Sequence, residues 1–149
     1  MRFPAKVLST FFGAGYFPVA PGTFASLVAA FLYKYLLVQW NVLFYAALIV
    51  LIFFIGVMTS GVFSKALGQK DPRKIVIDEV CGQFIAYVFV PGQWSNVLLG
   101  FFLFRVFDVI KLYPIRKLEN LPGGWGIMAD DVLAAIYSAI LVHVYLWLK

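Results

Sequence analysis

Apolar residues along the chain are grouped into five long stretches separated by short polar or basic segments. The stretches cover about residues 24–40, 42–63, 75–90, 94–110 and 131–148. The second has no charged residue and is long enough to cross the hydrocarbon core of a bilayer as a helix. The third and fourth are short, so they tilt, thin the membrane locally or form a hairpin, and Pro91-Gly92 turns the chain between them. The pattern therefore predicts an all-α, polytopic membrane bundle of about five apolar segments.

Composition supports a membrane protein over a soluble one. Of 149 residues, 63% are hydrophobic and only 13% are charged, against about 25% charged residues in soluble domains. A soluble domain of this length could not bury so much apolar surface. Because no long linker or internal repeat divides the chain, we expect residues 1–149 to form a single membrane-embedded domain.

The basic residues predict how the bundle is oriented. Twelve Lys and Arg face seven Asp and Glu, a net charge of +5. The basic residues are grouped before the first stretch and after the second and fourth, whereas the other two loops carry no charge. The positive-inside rule then places the amino terminus in the cytoplasm and the carboxyl terminus outside. This distribution favours contact with an anionic lipid leaflet, and we expect no nucleic-acid partner.

The same orientation gathers acidic residues at the cytoplasmic side. Ionisable groups at membrane depth are costly and are usually kept for function. Clustered carboxylates repel one another unless a cation joins them, and Mg²⁺ prefers oxygen ligands. We therefore predict a Mg²⁺ site whose ion could polarise a phosphoryl oxygen and activate water. The alternative is that these acids only form ion pairs with basic neighbours. The candidate metal ligands and catalytic residues are Asp78, Glu79, Asp108, Asp130 and Asp131.

Two glycine-containing loops, residues 13–23 and 122–126, are candidates for holding a phosphate group. Each precedes an apolar helix, and Thr23 is predicted as the N-cap of the first. Arg105, Asp108 and Lys111 are spaced by three residues and are predicted to share one helix face. The alternative is that both loops only separate helices. The candidate phosphate-binding residues are Gly22, Thr23, Ser26, Arg105, Lys111, Gly124 and Gly126.

Two further residues limit the phosphatase mechanisms that the chain can use. His143 is the single histidine, which excludes phosphatases that use one histidine as nucleophile and another as acid. It is expected to be a packing residue near the outer boundary. Cys81 has no arginine shortly after it, so it does not form a cysteine-phosphatase loop and is expected to be a small buried residue.

Four motifs occur in order along the chain. They are Gly13-Ala14-Gly15 through Pro18 with Ala20-Pro21-Gly22-Thr23 and Ser26, Ile77-Asp78-Glu79-Val80-Cys81-Gly82, Phe104-Arg105-Val106-Phe107-Asp108 with Lys111 and Pro114-Ile115-Arg116, and Gly123-Gly124-Trp125-Gly126 through Asp130-Asp131. Together they resemble the phosphatidylglycerophosphatase A family. Two departures from the family pattern are Ala25, where the family commonly has Gly, and Leu112, where it commonly has Pro. Leu112 leaves the fourth helix freer to continue toward Tyr113.

This resemblance implies a Mg²⁺-dependent lipid phosphatase of the bacterial cytoplasmic (inner) membrane. It would remove the terminal phosphate of phosphatidylglycerophosphate and give phosphatidylglycerol for phospholipid synthesis. Its substrate partner would be that membrane lipid, bound at a site facing the cytoplasm. Two other functions stay open from the residues alone: a divalent-cation transporter, because intramembrane acids often mark ion paths, and a non-catalytic membrane subunit whose charges pair with a partner.

Overall fold

The computed structural model describes residues 2–149, and every regular element in that range is helical. A single π-helical turn, Tyr33–Leu37, continues the second helix. The helices are α1 (Arg2–Ser9), α2 (Pro21–Leu32), α3 (Val42–Leu67), α4 (Ile77–Ala86), α5 (Trp94–Ile110), α6 (Ile115–Leu118) and α7 (Gly124–Leu148).

The long helices alternate in direction, as the sequence predicts. The first residues of α2 and α4 meet, because Gly22 lies against the Glu79 carboxylate. The second turn of α7 lies beside Lys111, which follows the end of α5. The starts of α2, α4 and α7 and the end of α5 are therefore at one end of the bundle. The prediction of an all-helical fold is confirmed.

Helix length separates two of the segments from the others. α3 has 26 residues and α7 has 25, which gives about 38 Å each at 1.5 Å per residue. Both are long and apolar enough to cross a membrane, whose hydrocarbon core is about 30 Å thick. α4 has only 10 residues, or about 15 Å. The structure thus supports two full-length spans, and the third stretch ends its helix at Ala86 instead of continuing to Val90.

α3 presents a broad apolar face away from the rest of the protein. Leu43, Phe44 and Met58 are each more than 70% exposed. Soluble monomers rarely expose a continuous apolar surface of this kind, because its hydration is unfavourable. The exposed face of α3 therefore favours contact with lipid.

Tyrosine hydroxyls bind backbone carbonyls where the short α4 ends. Tyr45 Oη donates a hydrogen bond to the Phe84 carbonyl at 2.6 Å, and Tyr33 Oη donates to the Val90 carbonyl. The last carbonyls of a helix lack partners inside that helix, and in an apolar environment they must find them elsewhere. The Tyr45 bond gives a carbonyl in the last turn of α4 a second partner beside the Tyr87 N–H, and the Tyr33 bond gives a partner to a carbonyl of the segment that follows α4.

Two helix starts differ from the prediction. Thr23 is not the N-cap of α2, because the helix begins at Pro21 and Ala20 precedes it with a left-handed backbone (φ 47°). Proline suits the first helical position, where no N–H partner is needed. α7 begins at Gly124, well before residue 131. The segment predicted as a second loop is therefore largely helical, and Asp131 lies in the second turn of α7.

The end of α5 also differs. The helix stops at Ile110, and Lys111 has a left-handed backbone with φ 50°. Lys111 therefore does not continue the helix face of Arg105 and Asp108. The expectation that Leu112 allows the helix to continue is wrong, because the chain has already turned before that residue.

Candidate active site

A cavity of about 650 Å³ lies at the end of the bundle where α2, α4 and α7 begin. Pockets that bind small molecules usually measure about 300–1,000 Å³, and this cavity is within that range. We call it the acidic cavity. Of the predicted site residues, it is lined by Gly22, Thr23, Asp78, Glu79, Arg105, Asp108, Lys111, Asp130 and Asp131.

Three of these carboxylates form a compact group. One oxygen from each of Asp78, Glu79 and Asp131 lies within 4.8 Å of the others. Asp78 and Glu79 are in the first turn of α4, and Asp131 is in α7. The two helices approach closely at Gly82, where an added Cβ would lie 3.2 Å from the Asp131 carbonyl oxygen. We call these three residues the carboxylate triad.

Two carboxylates of the triad are buried, and the third, Glu79, is half-buried. Asp78 is 7% exposed and Asp131 is 3% exposed. Among the side chains of residues 3–149, no basic group forms an ion pair with any of the three. One oxygen of each, Asp78 Oδ1, Glu79 Oε2 and Asp131 Oδ2, is buried without a hydrogen bond. Such oxygens are costly to bury unless a cation binds them, and a divalent cation with a preference for oxygen fits this group.

The other two predicted carboxylates are held by basic residues. Arg105 Nη1 lies 2.7 Å from Asp108 Oδ2, and Lys111 Nζ lies 2.8 Å from Asp130 Oδ2. Lys111 also pairs with Glu119. Burial lowers the pKa of Lys111, but its hydrogen bonds to Asp130 and Glu119 outweigh this, and the net shift is upward. Lys111 is therefore a charged link between two carboxylates.

The first turn of α2 forms one wall of the cavity. Gly22 is in contact with the Glu79 carboxylate, and a Cβ there would lie 3.4 Å from Arg105 Nη2. The free N–H groups of a helix start favour anions. Thr23 lines the cavity. Ser26 is fully buried one turn later, with its Oγ 3.5 Å from Arg105 Nη1, so it contacts the arginine without lining the cavity.

Gly124 and Gly126 do not line the acidic cavity. A Cβ on Gly124 would collide with the Val57 carbonyl of α3, and one on Gly126 would lie 2.6 Å from the Leu121 carbonyl. Both glycines therefore allow close backbone packing at the start of α7. Contact of either glycine with a phosphate group stays a prediction.

The cavity also contains two charged residues that the sequence prediction omitted. Asp71 and Arg73 come from the segment between α3 and α4 and line the cavity. Burial raises the pKa of Asp71, while nearby Lys111 lowers it. The signal in the sequence was their position in a basic loop on the predicted cytoplasmic side. The sequence could not show that these two residues lie near the triad, because their position depends on the path of the loop.

Together these features define a class of protein. It is a helical protein with two helices suited to a membrane, and its cavity brings a group of carboxylates together with an arginine and the start of a helix. Residues 7–146 match the phosphatidylglycerophosphatase A family. The chain belongs to this family, as the motifs predicted, and is a phosphatase.

Curated relatives from three bacteria cover nearly the whole chain. A phosphatidylglycerophosphatase A of Haemophilus influenzae is 40% identical over 93% of this chain and 86% of its own length. A phosphatidylglycerophosphatase A of Escherichia coli is 36% identical over 96% and 84%. A protein of Bacteroides thetaiotaomicron, named provisionally as a phosphatidylinositol-3-phosphatase, is 40% identical over 97% and 95%. No solved structure matches the chain.

Proposed function

We propose that this protein is a Mg²⁺-dependent phosphatidylglycerophosphatase. It hydrolyses the terminal phosphate of phosphatidylglycerophosphate and gives phosphatidylglycerol for phospholipid synthesis. The reaction takes place at the cytoplasmic face of the bacterial inner membrane, in which the helices are embedded. The observation that carries the proposal is the carboxylate triad, which forms no ion pair among the described side chains and lies in the same cavity as Arg105 and the start of α2.

The residues present fit a Mg²⁺ site. The triad offers three carboxylates with no basic partner among the described residues and three buried oxygens without hydrogen bonds. Asp78, Glu79 and Asp131 would hold the ion, with Asp108 and Asp130 nearby in the same cavity. Bound there, Mg²⁺ would polarise the phosphoryl group and lower the pKa of a bound water.

The chain itself positions and stabilises the phosphate. Hydrolysis forms a bond from water oxygen to phosphorus and breaks the bond from phosphorus to the glycerol oxygen, which gains a proton. A carboxylate of the cavity accepts the proton from water. Arg105 and the backbone N–H groups at Gly22 and Thr23 donate hydrogen bonds to the phosphate oxygens, where negative charge must be stabilised.

The outer surface of α5 provides a path for the lipid tails. Val109 lines the acidic cavity and is exposed. Val106, Phe102 and Leu98 are also exposed and follow at intervals of three or four residues, so they continue the same helix face away from the cavity. The acyl chains can therefore remain in contact with lipid along α5 while the head group enters the cavity.

A second substrate follows from one relative. The Bacteroides protein, whose name assigns it a phosphoinositide phosphatase activity, is as similar to this chain as the Haemophilus phosphatidylglycerophosphatase. Phosphatidylinositol 3-phosphate also carries one phosphate monoester beyond a phosphodiester. It belongs in the same assay as a competing candidate.

Phosphate release from the purified protein tests the proposal. We expect release from phosphatidylglycerophosphate with Mg²⁺ and loss of release with a chelator. Asp131→Asn and Glu79→Gln should each reduce the rate by at least about a hundredfold, since each removes a charged ligand. His143→Gln, at the far end of α7, is the matched control and should retain full activity. Full activity in both carboxylate variants would remove the triad from the mechanism.

The same protein separates the two other functions. A divalent-cation transporter would carry labelled Mg²⁺ into proteoliposomes without releasing phosphate. A non-catalytic subunit would release no phosphate from any lipid monoester, with or without the chelator. Either result would contradict the proposed activity.

A further inference from the structure

Arg73 differs from the other basic residues of the acidic cavity. Arg105 is paired with Asp108, and Lys111 is paired with Asp130. In the part of the chain that the structure describes, Arg73 forms no ion pair, although it lines the cavity. Its guanidinium is therefore available to an anion that enters from outside.

The loop that carries Arg73 is anchored on both sides. Pro72 is almost fully buried, and the Ile75 N–H donates to the Pro72 carbonyl at 2.9 Å. The Val76 N–H donates to the Ser9 carbonyl of α1, also at 2.9 Å. The backbone at Arg73 is thus fixed while its side chain is exposed. A fixed backbone reduces the entropy lost when the side chain binds an anion.

The cavity consequently has two levels. Asp78 and Asp131 of the triad are buried at its inner end, whereas Arg73 is exposed at its mouth. The proposed substrate also carries two phosphate groups: the terminal monoester that is hydrolysed, and the diester that joins the head group to the diacylglycerol.

We propose that Arg73 binds the phosphodiester of the substrate while the monoester lies at the triad. This inference rests on the proposed function and adds a specificity-determining residue to it. A guanidinium can donate two parallel hydrogen bonds to a phosphate, which gives both energy and orientation. Arg73 therefore favours lipids that carry a diester together with a monoester over phosphatidic acid, whose single phosphate is a monoester.

Lys74 provides a matched control beside Arg73. Its ammonium lies 5.2 Å from the centre of the Tyr16 ring, and Lys6 lies 5.3 Å from the same ring. Lys74 does not line the acidic cavity. Lys74→Gln removes the same charge at the neighbouring position, so it reports any general effect of charge on the binding of anionic lipid.

Two soluble inhibitors distinguish binding at the mouth of the cavity from binding at the triad. Glycerophosphoglycerol contains only the diester, and inorganic phosphate imitates only the monoester. In Arg73→Gln we expect the inhibition constant of glycerophosphoglycerol and the KM of the lipid to rise about tenfold, or about 1.4 kcal/mol. The kcat and the inhibition constant of inorganic phosphate should stay within about twofold. Arg73→Lys should recover part of the loss, and Lys74→Gln should change none of these constants.

Two results would overturn the proposal. One is an unchanged inhibition constant for glycerophosphoglycerol in Arg73→Gln; the other is an equal rise for inorganic phosphate, which would place Arg73 at the reacting group. If the wild type hydrolyses another lipid monoester in place of phosphatidylglycerophosphate, the proposed substrate fails, and the inhibitors are measured against that lipid. If it hydrolyses none, calorimetric titration of glycerophosphoglycerol into wild type and Arg73→Gln gives the same comparison.

Discussion

Lys111 Nζ lies 2.8 Å from Asp130 Oδ2, and this ion pair joins the residue after α5 to α7. The left-handed backbone of Lys111 turns it out of the α5 helix. Asp130 is only 4% exposed, and a buried carboxylate that loses its partner is strongly destabilising. The pair therefore fixes the geometry on one side of the acidic cavity.

We predict that Lys111→Met destabilises the protein by about 2–4 kcal/mol, because it leaves the buried Asp130 carboxylate without its cation. Thermal unfolding in detergent measures the effect. Lys117→Met is the control, since Lys117 lies over the exposed Tyr113 ring and does not pair with a carboxylate in the described chain. Equal unfolding temperatures for Lys111→Met and the wild type would show that the pair contributes nothing.

We predict that Gly22→Ala abolishes most activity while the protein stays folded. The added methyl group would occupy the position of the Glu79 carboxylate, 3.4 Å from Arg105 Nη2. Displacing a catalytic group by about 1 Å can reduce a rate about a hundredfold. The assay is phosphate release per folded molecule.

Gly68→Ala gives the opposite pattern and serves as the control. Gly68 ends α3 with a left-handed backbone, φ 65°, and open space around its Cα. Alanine there should cost about 1 kcal/mol of stability, because the conformation disfavours a side chain. The activity of the folded fraction should not change. Loss of activity in Gly68→Ala with full activity in Gly22→Ala would contradict the assignment of the acidic cavity as the active site.

The sequence predicted which helix ends meet, but not how each helix ends. Charges at alternating ends of successive apolar stretches require Asp78, Asp108 and Asp131 to lie on one side, and all three line the cavity. The backbone turn at Lys111 and the start of α2 at Pro21 depend on local conformations. Such boundaries are set by contacts with distant segments, which a hydrophobic pattern does not contain.

The loop between α3 and α4 shows the same limit. Asp71 and Arg73 reach the cavity because the loop is fixed by contacts such as the hydrogen bond from Val76 to Ser9 of α1. That contact joins residues far apart in the sequence. α1 itself has no long apolar stretch to mark it, so neither its packing nor the position of the loop could be inferred from the pattern.

We predict that Mg²⁺ stabilises the wild type and that Asp131→Asn removes this stabilisation. At a concentration one hundred times the dissociation constant, a ligand adds about 2.7 kcal/mol. Unfolding temperatures measured with Mg²⁺ and with a chelator test this without any assay of activity. Ca²⁺, which is larger and accepts more ligands, tests whether the site selects by size.

In the presence of chelator, Asp131→Asn should be more stable than the wild type. The three carboxylates of the triad lie within 4.8 Å of one another, so neutralising one relieves repulsion among buried charges. His143→Gln, which is outside the cavity, should respond to Mg²⁺ as the wild type does. An identical Mg²⁺ response in Asp131→Asn would exclude the triad as the ion site.

The tyrosines at the end of α4 lead to a prediction about stability alone. Tyr45→Phe removes the hydroxyl that donates to the Phe84 carbonyl at 2.6 Å and leaves the buried ring in place. We expect a loss of about 1 kcal/mol, the usual net value of one hydrogen bond. The loss should not exceed this greatly, because the Phe84 carbonyl also accepts from the Tyr87 N–H at 3.1 Å.

A measurement of activity separates the stabilising role of Tyr45 from the catalytic role proposed for the first turn of α4. Tyr45 contacts the last turn of α4, whereas Asp78 and Glu79 are in its first turn, so Tyr45→Phe should retain its kcat at temperatures where it is folded. Tyr35→Phe is the control, because Tyr35 is 65% exposed and removing its hydroxyl should leave stability unchanged. Equal unfolding temperatures for Tyr45→Phe and Tyr35→Phe would mean that α4 can end inside the bundle without this bond. The hydrogen bond from the Tyr87 N–H would then be sufficient for the Phe84 carbonyl.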